Sequence, residues 1–125
     1  MIAVATIVGI GVALGCASEA SARRGTAAGG QVQKGRASYY GREFVGRRTA
    51  SGERYDPKAM TAAHKSLPFG TRIRVSRPGG QSVIVRVNDR CGCTHGRIVD
   101  LSEAAAHKLD MMRSGVVDVR LEVLR

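Results

Sequence analysis

Four side chains in two short stretches have the types and the spacing for acid–base chemistry. Residues 49–70 read TASGERYDPKAMTAAHKSLPFG, with Glu53 and Asp56 three apart and His64 eight residues further on. Residues 87–90 read VNDR, and Asp89 there ends a β-branched run, where a strand hands over to a loop and a side chain can face a cleft. A carboxyl in such a position, with apolar walls and other carboxylates nearby, can keep a proton near neutral pH and give it to a glycosidic oxygen. The set therefore points to an enzyme acting on sugar polymer. Each residue also has a structural reading. Asp56 before Pro57 is a strong helix start, a cap for a turn over residues 57–64 that would put His64 at its C-terminal end. Glu53 is otherwise a solvated loop acid, and Asp89 an Asx turn that stops its strand.

The elements that must hold these residues are short strands. Residues 37–41, ASYYG, are strand-like, and residues 71–76, TRIRVS, alternate, with Ile73 and Val75 on one face and Arg72 and Arg74 on the other. A turn over residues 77–81, RPGGQ, leads into residues 82–87, SVIVRV, a nearly continuous β-branched run of the kind buried on both faces. Residues 97–101 form another short strand. Ser102 then caps a helix, with Glu103 in its first turn, Ala104, Ala105, Leu109 and Met112 on one face, and Ser114 and Gly115 at its stop. Residues 116–124 alternate once more, Val117, Val119, Leu121 and Val123 facing in and Asp118, Arg120 and Glu122 facing out. Several short strands with one or two short helices predict a mainly β protein, a small closed β-barrel with few exposed edges.

Length and charge bound the partner. A chain of 125 residues is one domain's worth, and its 20 Lys and Arg against 10 Asp and Glu give a net charge of +10. An anionic partner satisfies that excess: nucleic acid, an acidic lipid surface or a carboxylate-bearing glycan. Simple solubility satisfies it equally. Trp is absent, so broad aromatic stacking platforms are excluded. Residues 2–15, IAVATIVGIGVALG, have the length of a secretory signal core and fall short of a spanning helix, although no Lys or Arg precedes them. Two exits follow: ALGC ending at Cys16, which resembles a lipobox and makes Cys16 the lipidated terminus, and ASA at residues 20–22, a cleavage site for an ordinary signal peptidase. The expected organisation is an export signal over residues 1–22, a Ser-, Ala-, Gly- and Arg-rich tether over 23–34 and a folded domain over 35–125. Export places the protein in the periplasm, with the outer membrane touched only through a lipid on Cys16, and argues against nucleic acid. Cys91, Cys93 and His95 form a C-x-C-x-H cluster, too compact for a four-ligand zinc site, so no metal is expected. In an exported protein Cys91 and Cys93 either pair, stiffening the loop beside Asp89, or stay free.

The ordered run GRASYYG, TASGERYD, TAAHKSLPFGTRIRV, VNDR and GRIVDLS, followed by an Ala-rich helix, resembles the rare lipoprotein A family of bacterial cell-wall proteins over residues 35–124. The resemblance implies a six-stranded double-psi β-barrel, a fold shared with expansins and some endoglucanases, and lytic transglycosylase activity on peptidoglycan glycan strands, preferentially those stripped of peptides. No cofactor is implied. Carried over position by position, the catalytic set is Asp89, Glu53, Asp56 and His64, and Tyr40, Thr49, Ser51 and Asn88 are the expected substrate-binding residues. In the implied chemistry Asp89 protonates the oxygen between N-acetylmuramic acid and N-acetylglucosamine and then deprotonates the sugar's own C6 hydroxyl, closing a 1,6-anhydro ring. Glu53 would stabilise the developing positive charge, with Asp56 and His64 holding neighbouring groups. The chain is expected to act as a monomer, with cell-division proteins as further partners. It departs from the family at Cys91-Gly92-Cys93, where relatives more often carry Gly, Pro and an aromatic residue. The alternatives from other classes are an expansin-like module that binds or loosens wall without cutting it and a structural envelope lipoprotein whose acidic residues are vestigial.

Overall fold

The computed structural model describes residues 30–124, so the apolar leader, Cys16 and the cleavage site lie outside the described residues. Six strands close a barrel: β1 (Val32–Tyr39), β2 (Thr61–His64), β3 (Arg72–Ser76), β4 (Ser82–Asp89), β5 (Arg97–Leu101) and β6 (Val117–Val123), with one 3-10 turn at Arg42–Phe44 and one helix, α1 (Glu103–Lys108). The order around the barrel is β1-β5-β2-β4-β3-β6, closed by antiparallel β1–β6 pairing. Two of the pairs, β1–β5 and β2–β4, are parallel, so long crossovers connect them and the loops they carry meet at strand ends. This is the expected mainly β, six-stranded barrel. No helix among the described residues is long and apolar enough to cross a membrane.

Alternation builds the core. Ile73 and Val75 from β3, Val83, Val85 and Val87 from β4, and Val117, Val119, Leu121 and Val123 from β6 all point inward and are buried. The β4 run is therefore buried on one face only, contrary to expectation: Ile84 and Arg86 face out to solvent on the exterior of the barrel. The start of the folded part also moves. β1 begins at Val32, so the last residues read as tether are sheet, held by pairing of Val32 with Glu122 and Lys34 with Arg120.

The helix expected over residues 57–64 does not form. Asp56 does cap locally, its Oδ1 accepting the Lys58 N–H at 2.9 Å, but the Pro57 carbonyl is taken by Ala104 N–H of α1 and the chain then enters β2. All four residues of β2 are buried between β4 and β5, a tertiary demand that overrides the local helical pattern. Ser102 is the N-cap of α1, its hydroxyl accepting Ala105 N–H at 3.2 Å and donating to the Ala59 carbonyl at 2.6 Å. α1 ends at Lys108, short of the expected stop. Leu109 and Met111 nonetheless join Ala105 and Ala106 in the core.

Candidate active site

Both parallel pairs slip by one residue, and the slip creates the site. Opposite β2, the register jumps from Ala62–Val87 to Ala63–Asp89, leaving Asn88 as the extra residue; opposite β1 it jumps from Arg36–Arg97 to Ala37–Val99, leaving Ile98. Such bulges re-aim the side chains that follow them. Beyond the two slips one row crosses four strands: Asp89 of β4 pairs Ala63 of β2, Ala63 pairs Asp100 of β5, and Asp100 pairs Ser38 of β1. Those four residues lie along a groove of about 520 Å³ whose walls carry Tyr40, Arg47, Arg48, Arg90 and Arg97. The two carboxylates stand on strands two spacings apart, about 10 Å between backbones. Ala63 between them is too small to fill the gap.

Asp89 is tightly held. Its Oδ1 accepts the Ala50 and Arg90 N–H groups, each at 2.8 Å, and its Oδ2 accepts the Tyr40 hydroxyl. Tyr40 is itself fixed, stacked on Tyr55 at 4.5 Å and edge-on to Phe44 at 5.7 Å. Burial and the neighbouring Asp89 push its phenol well above the usual range, so it stays a hydroxyl. Asp100 has a different environment: Ser38 donates to its Oδ1, and Arg97 NH2 lies 3.2 Å from its carboxylate. Asp100 was not among the sequence candidates. Its signal was available, a carboxylate at the exit of strand 97–101 just as Asp89 is at the exit of β4.

The segment 46–55 folds back on itself through pairing of Arg48 with Arg54 and a tight turn with Gly52 at φ 94°, a left-handed conformation suited to glycine. Thr49 and Ser51, expected to bind substrate, shape this turn: the Thr49 hydroxyl donates to the Glu53 carbonyl at 2.8 Å and sits 3.0 Å from the Ser51 hydroxyl. The turn docks on the end of β4 through Ala50 N–H to Asp89 and Ser51 N–H to the Asn88 carbonyl. Glu53 then clamps the same strand, accepting from Asn88 Nδ2 and Arg86, both at 2.9 Å. The Arg86 guanidinium and the Asn88 amide hold its carboxyl below the usual carboxylate range. Glu53 thus reaches the β4 terminus without lining the groove, and Asn88, buried, already has a partner.

His64 and Asp56 are elsewhere. His64 is buried and borders a separate cavity of about 280 Å³ shared with Gln33, Lys65 and Arg97. Its Nδ1 accepts the Ser66 and Leu67 N–H groups at 3.0 and 3.1 Å, so the proton belongs on Nε2, which faces Gln33 Oε1 at 3.0 Å. Burial, with Arg90 and Lys65 nearby, lowers its pKa from 6.5. Through the His64 and Leu67 carbonyls, which both accept from Arg90 NH1, this turn anchors the residue next to Asp89. Asp56 is exposed on its turn and borders neither cavity. Cys91, which lines the groove, is joined to Cys93 as a disulfide. Their sulfurs and the Asp100 carboxylate cluster within 4.8 Å, but the closed bond leaves no thiolate to ligate a metal.

A family model described as lytic transglycolase matches residues 32–121, nearly the whole barrel. The chain belongs to that family. Within it, the chain is 60% identical over 94 residues to the probable endolytic peptidoglycan transglycosylase RlpA of Nostoc sp., covering 73% of this chain and 25% of that protein. It is 47% identical over 96 residues to the endolytic peptidoglycan transglycosylase RlpA of Vibrio cholerae, covering 76% of this chain and 36% of that one. The resemblance to rare lipoprotein A proteins is thereby borne out, and the chain spans roughly a quarter to two-fifths of the length of these curated relatives. Among solved structures the barrel matches the Streptomyces papain inhibitor with a TM-score of 0.64 at 27% identity, covering 78% of this chain and 97% of that one. It matches an expansin of Clavibacter michiganensis with a TM-score of 0.61 at 26% identity, covering 76% of this chain and 51% of the other.

Proposed function

We propose that this domain is an exported lytic transglycosylase that cuts the bond between N-acetylmuramic acid and N-acetylglucosamine in peptidoglycan strands and releases a 1,6-anhydro end. The observation that carries the reading is the groove holding two carboxylates in unlike environments, Asp89 among neutral donors and Asp100 beside Arg97. The names of the relatives, which act on peptidoglycan, support the substrate.

Asp89 moves the proton. Its Oδ1 is saturated by two backbone N–H groups, so both transfers use Oδ2, where the Tyr40 hydroxyl donates to one lone pair and leaves another for the proton. Proton donation to the glycosidic oxygen breaks its bond to C1 of the muramic acid and frees the glucosamine hydroxyl. The C6 hydroxyl of the same muramic acid then bonds to C1 and returns a proton to Asp89, so no water is consumed. Asp100 takes the part expected of Glu53, a negative charge facing the oxocarbenium-like transition state. Arg47, Arg48 and Arg90 on the groove walls suit the lactyl carboxylates that peptide-stripped strands expose. The apolar leader and tether deliver the domain to the periplasm, either lipidated at Cys16 or cleaved free, which the mass of the mature N-terminus separates.

The test is incubation of the purified protein with peptide-stripped glycan and mass analysis of the products. Wild type should yield anhydro ends, and Asp89→Asn and Asp100→Asn should each lower the rate at least about 100-fold while leaving the fold intact. Unchanged anhydro release by Asp89→Asn overturns the assignment. Strand binding with no product from wild type leaves the expansin-like binder, which the fold match to an expansin favours as second reading; another solved form of that expansin is in complex with cellohexaose.

A further inference from the structure

The barrel carries a second depression whose charge is unbalanced. A cleft of about 760 Å³ lies between β1, the turn over residues 77–81 and β6, lined by the cations Lys34, Arg36, Arg77 and Arg120 against a single acid, Asp118. Across the antiparallel β1–β6 pair Lys34 stands directly opposite Arg120, and across β1–β5 Arg36 stands opposite Arg97. Like charges facing each other across a ladder destabilise a sheet. Local acids only partly offset them. Asp118 faces Arg36 across the ladder, and Glu122, 3.8 Å from Arg120, is nearer to Arg74 at 3.1 Å. Arg36 and Arg77 are held in place by backbone carbonyls, His95 for the first and Leu109 and Asp110 for the second, whereas Lys34 and Arg120 are exposed.

The cleft and the groove are both lined by β1. Lys34, Arg36 and Ser38 share the outward face of β1; the first two line the cleft, and Ser38 and Tyr40 line the groove. From Lys34 to Tyr40 the chain covers about 20 Å, with Arg36 between them.

We propose that this cleft is a second glycan subsite, which holds a stretch of the substrate strand beyond the bond being cut by pairing Lys34, Arg36 and Arg120 with the free lactyl carboxylates of its muramic acid residues. The inference rests on the peptidoglycan reading above. It makes the domain more effective on long stripped strands than on short ones.

The experiment compares wild type with Lys34→Gln/Arg120→Gln on three probes: long peptide-stripped strands, a stripped tetrasaccharide, and long strands whose lactyl carboxylates have been amidated. Binding is read by co-sedimentation and cleavage by product mass. The double variant should raise KM and Kd on long stripped strands about tenfold, leave the tetrasaccharide within about twofold, and melt no lower than wild type, because it removes a repulsion. Amidation should cost both proteins the pairing at Arg47, Arg48 and Arg90, and should cost wild type about tenfold more than it costs the variant. Lys34→Arg/Arg120→Lys should restore binding. Equal behaviour of variant and wild type on long strands, equal loss on the tetrasaccharide, or indifference to amidation overturns the subsite. So does charge-dependent binding to vesicles of acidic lipid without binding to stripped strands. If no protein cleaves any probe, the transglycosylase reading fails, while the binding arm still decides the cleft.

Discussion

His64 is where a positioning role and a chemical one can be told apart most sharply. The ring is buried, both nitrogens are used, and Nδ1 serves two backbone N–H groups, one of them the buried Leu67 N–H. His64→Ala removes that acceptor. A buried N–H left without a partner costs about 1–3 kcal/mol, and the void and the half-buried Ser66 N–H bring the loss to roughly 3 kcal/mol. For a domain of this size that is a fall in Tm of about 12–24 °C. His64→Asn is the informative partner, because its Oδ1 can take the place of Nδ1 and keep both N–H groups satisfied. It should lose only the Gln33 hydrogen bond, about 1 kcal/mol or 4–8 °C.

Activity and pH complete the test. If the imidazole only holds the turn that anchors Arg90, the Asn variant cleaves stripped glycan within about threefold of wild type. A loss of about 100-fold or more, the scale of missing acid–base chemistry, in an Asn variant that melts normally would refute the positioning role. The sign of the pH effect follows from the lowered pKa. An unfolded His takes up its proton near 6.5, the folded one only below that value, because the ring is buried and Arg90 and Lys65 stand nearby. The stabilisation is therefore complete above about pH 6.5 and drains away as pH falls through the folded value. Melting curves from pH 8 to 5 should show this decline in wild type and lack it in His64→Asn.

Two further outcomes are expected. Tyr40→Phe keeps the stack on Tyr55 but removes the hydroxyl from Asp89, so kcat on stripped glycan should fall about 10- to 100-fold with KM little changed; an unchanged kcat means that Oδ2 needs no partner. Ser102→Ala deprives Ala105 N–H and the Ala59 carbonyl of the same hydroxyl, and calorimetry should show a loss of about 1–2 kcal/mol. Equal stability would mean that water replaces the cap.

Strands 71–76 and 116–124 were legible because their hydrophobic period is two and one face of each is buried against the core. Ser102 was legible because a cap acts over three residues. β2 was not. Thr61, Ala62, Ala63 and His64 are all buried, so no alternation marks them, and Asp56-Pro57 just upstream supplies the local chemistry of a helix start. What decides the conformation is pairing with β4 and β5, whose residues lie more than twenty positions away. Local pattern holds no trace of that.

The site divides along the same line. Residue type announced Asp89, since a carboxylate at a strand exit serves both chemistry and structure, but which carboxylates share the groove depends on register. Moving the β2–β4 pair by one residue would take Asp89 off the row through Ala63, and moving the β1–β5 pair would part Asp100 from Ser38, because neighbouring residues of a strand face opposite ways. The Asn88 bulge is in turn pinned by Glu53 through Nδ2 and by Ser51 through the carbonyl. This gives the TASGE motif a physical reason that needs no contact with substrate: it fixes the slip that puts Asp89 in the groove. Glu53→Gln tests the distinction, since an amide can still accept from Asn88 while losing the charge opposite Arg86. If Glu53 acts through Asn88, that variant keeps kcat within a few-fold and Glu53→Ala does not; if its charge faces the transition state, both lose kcat alike.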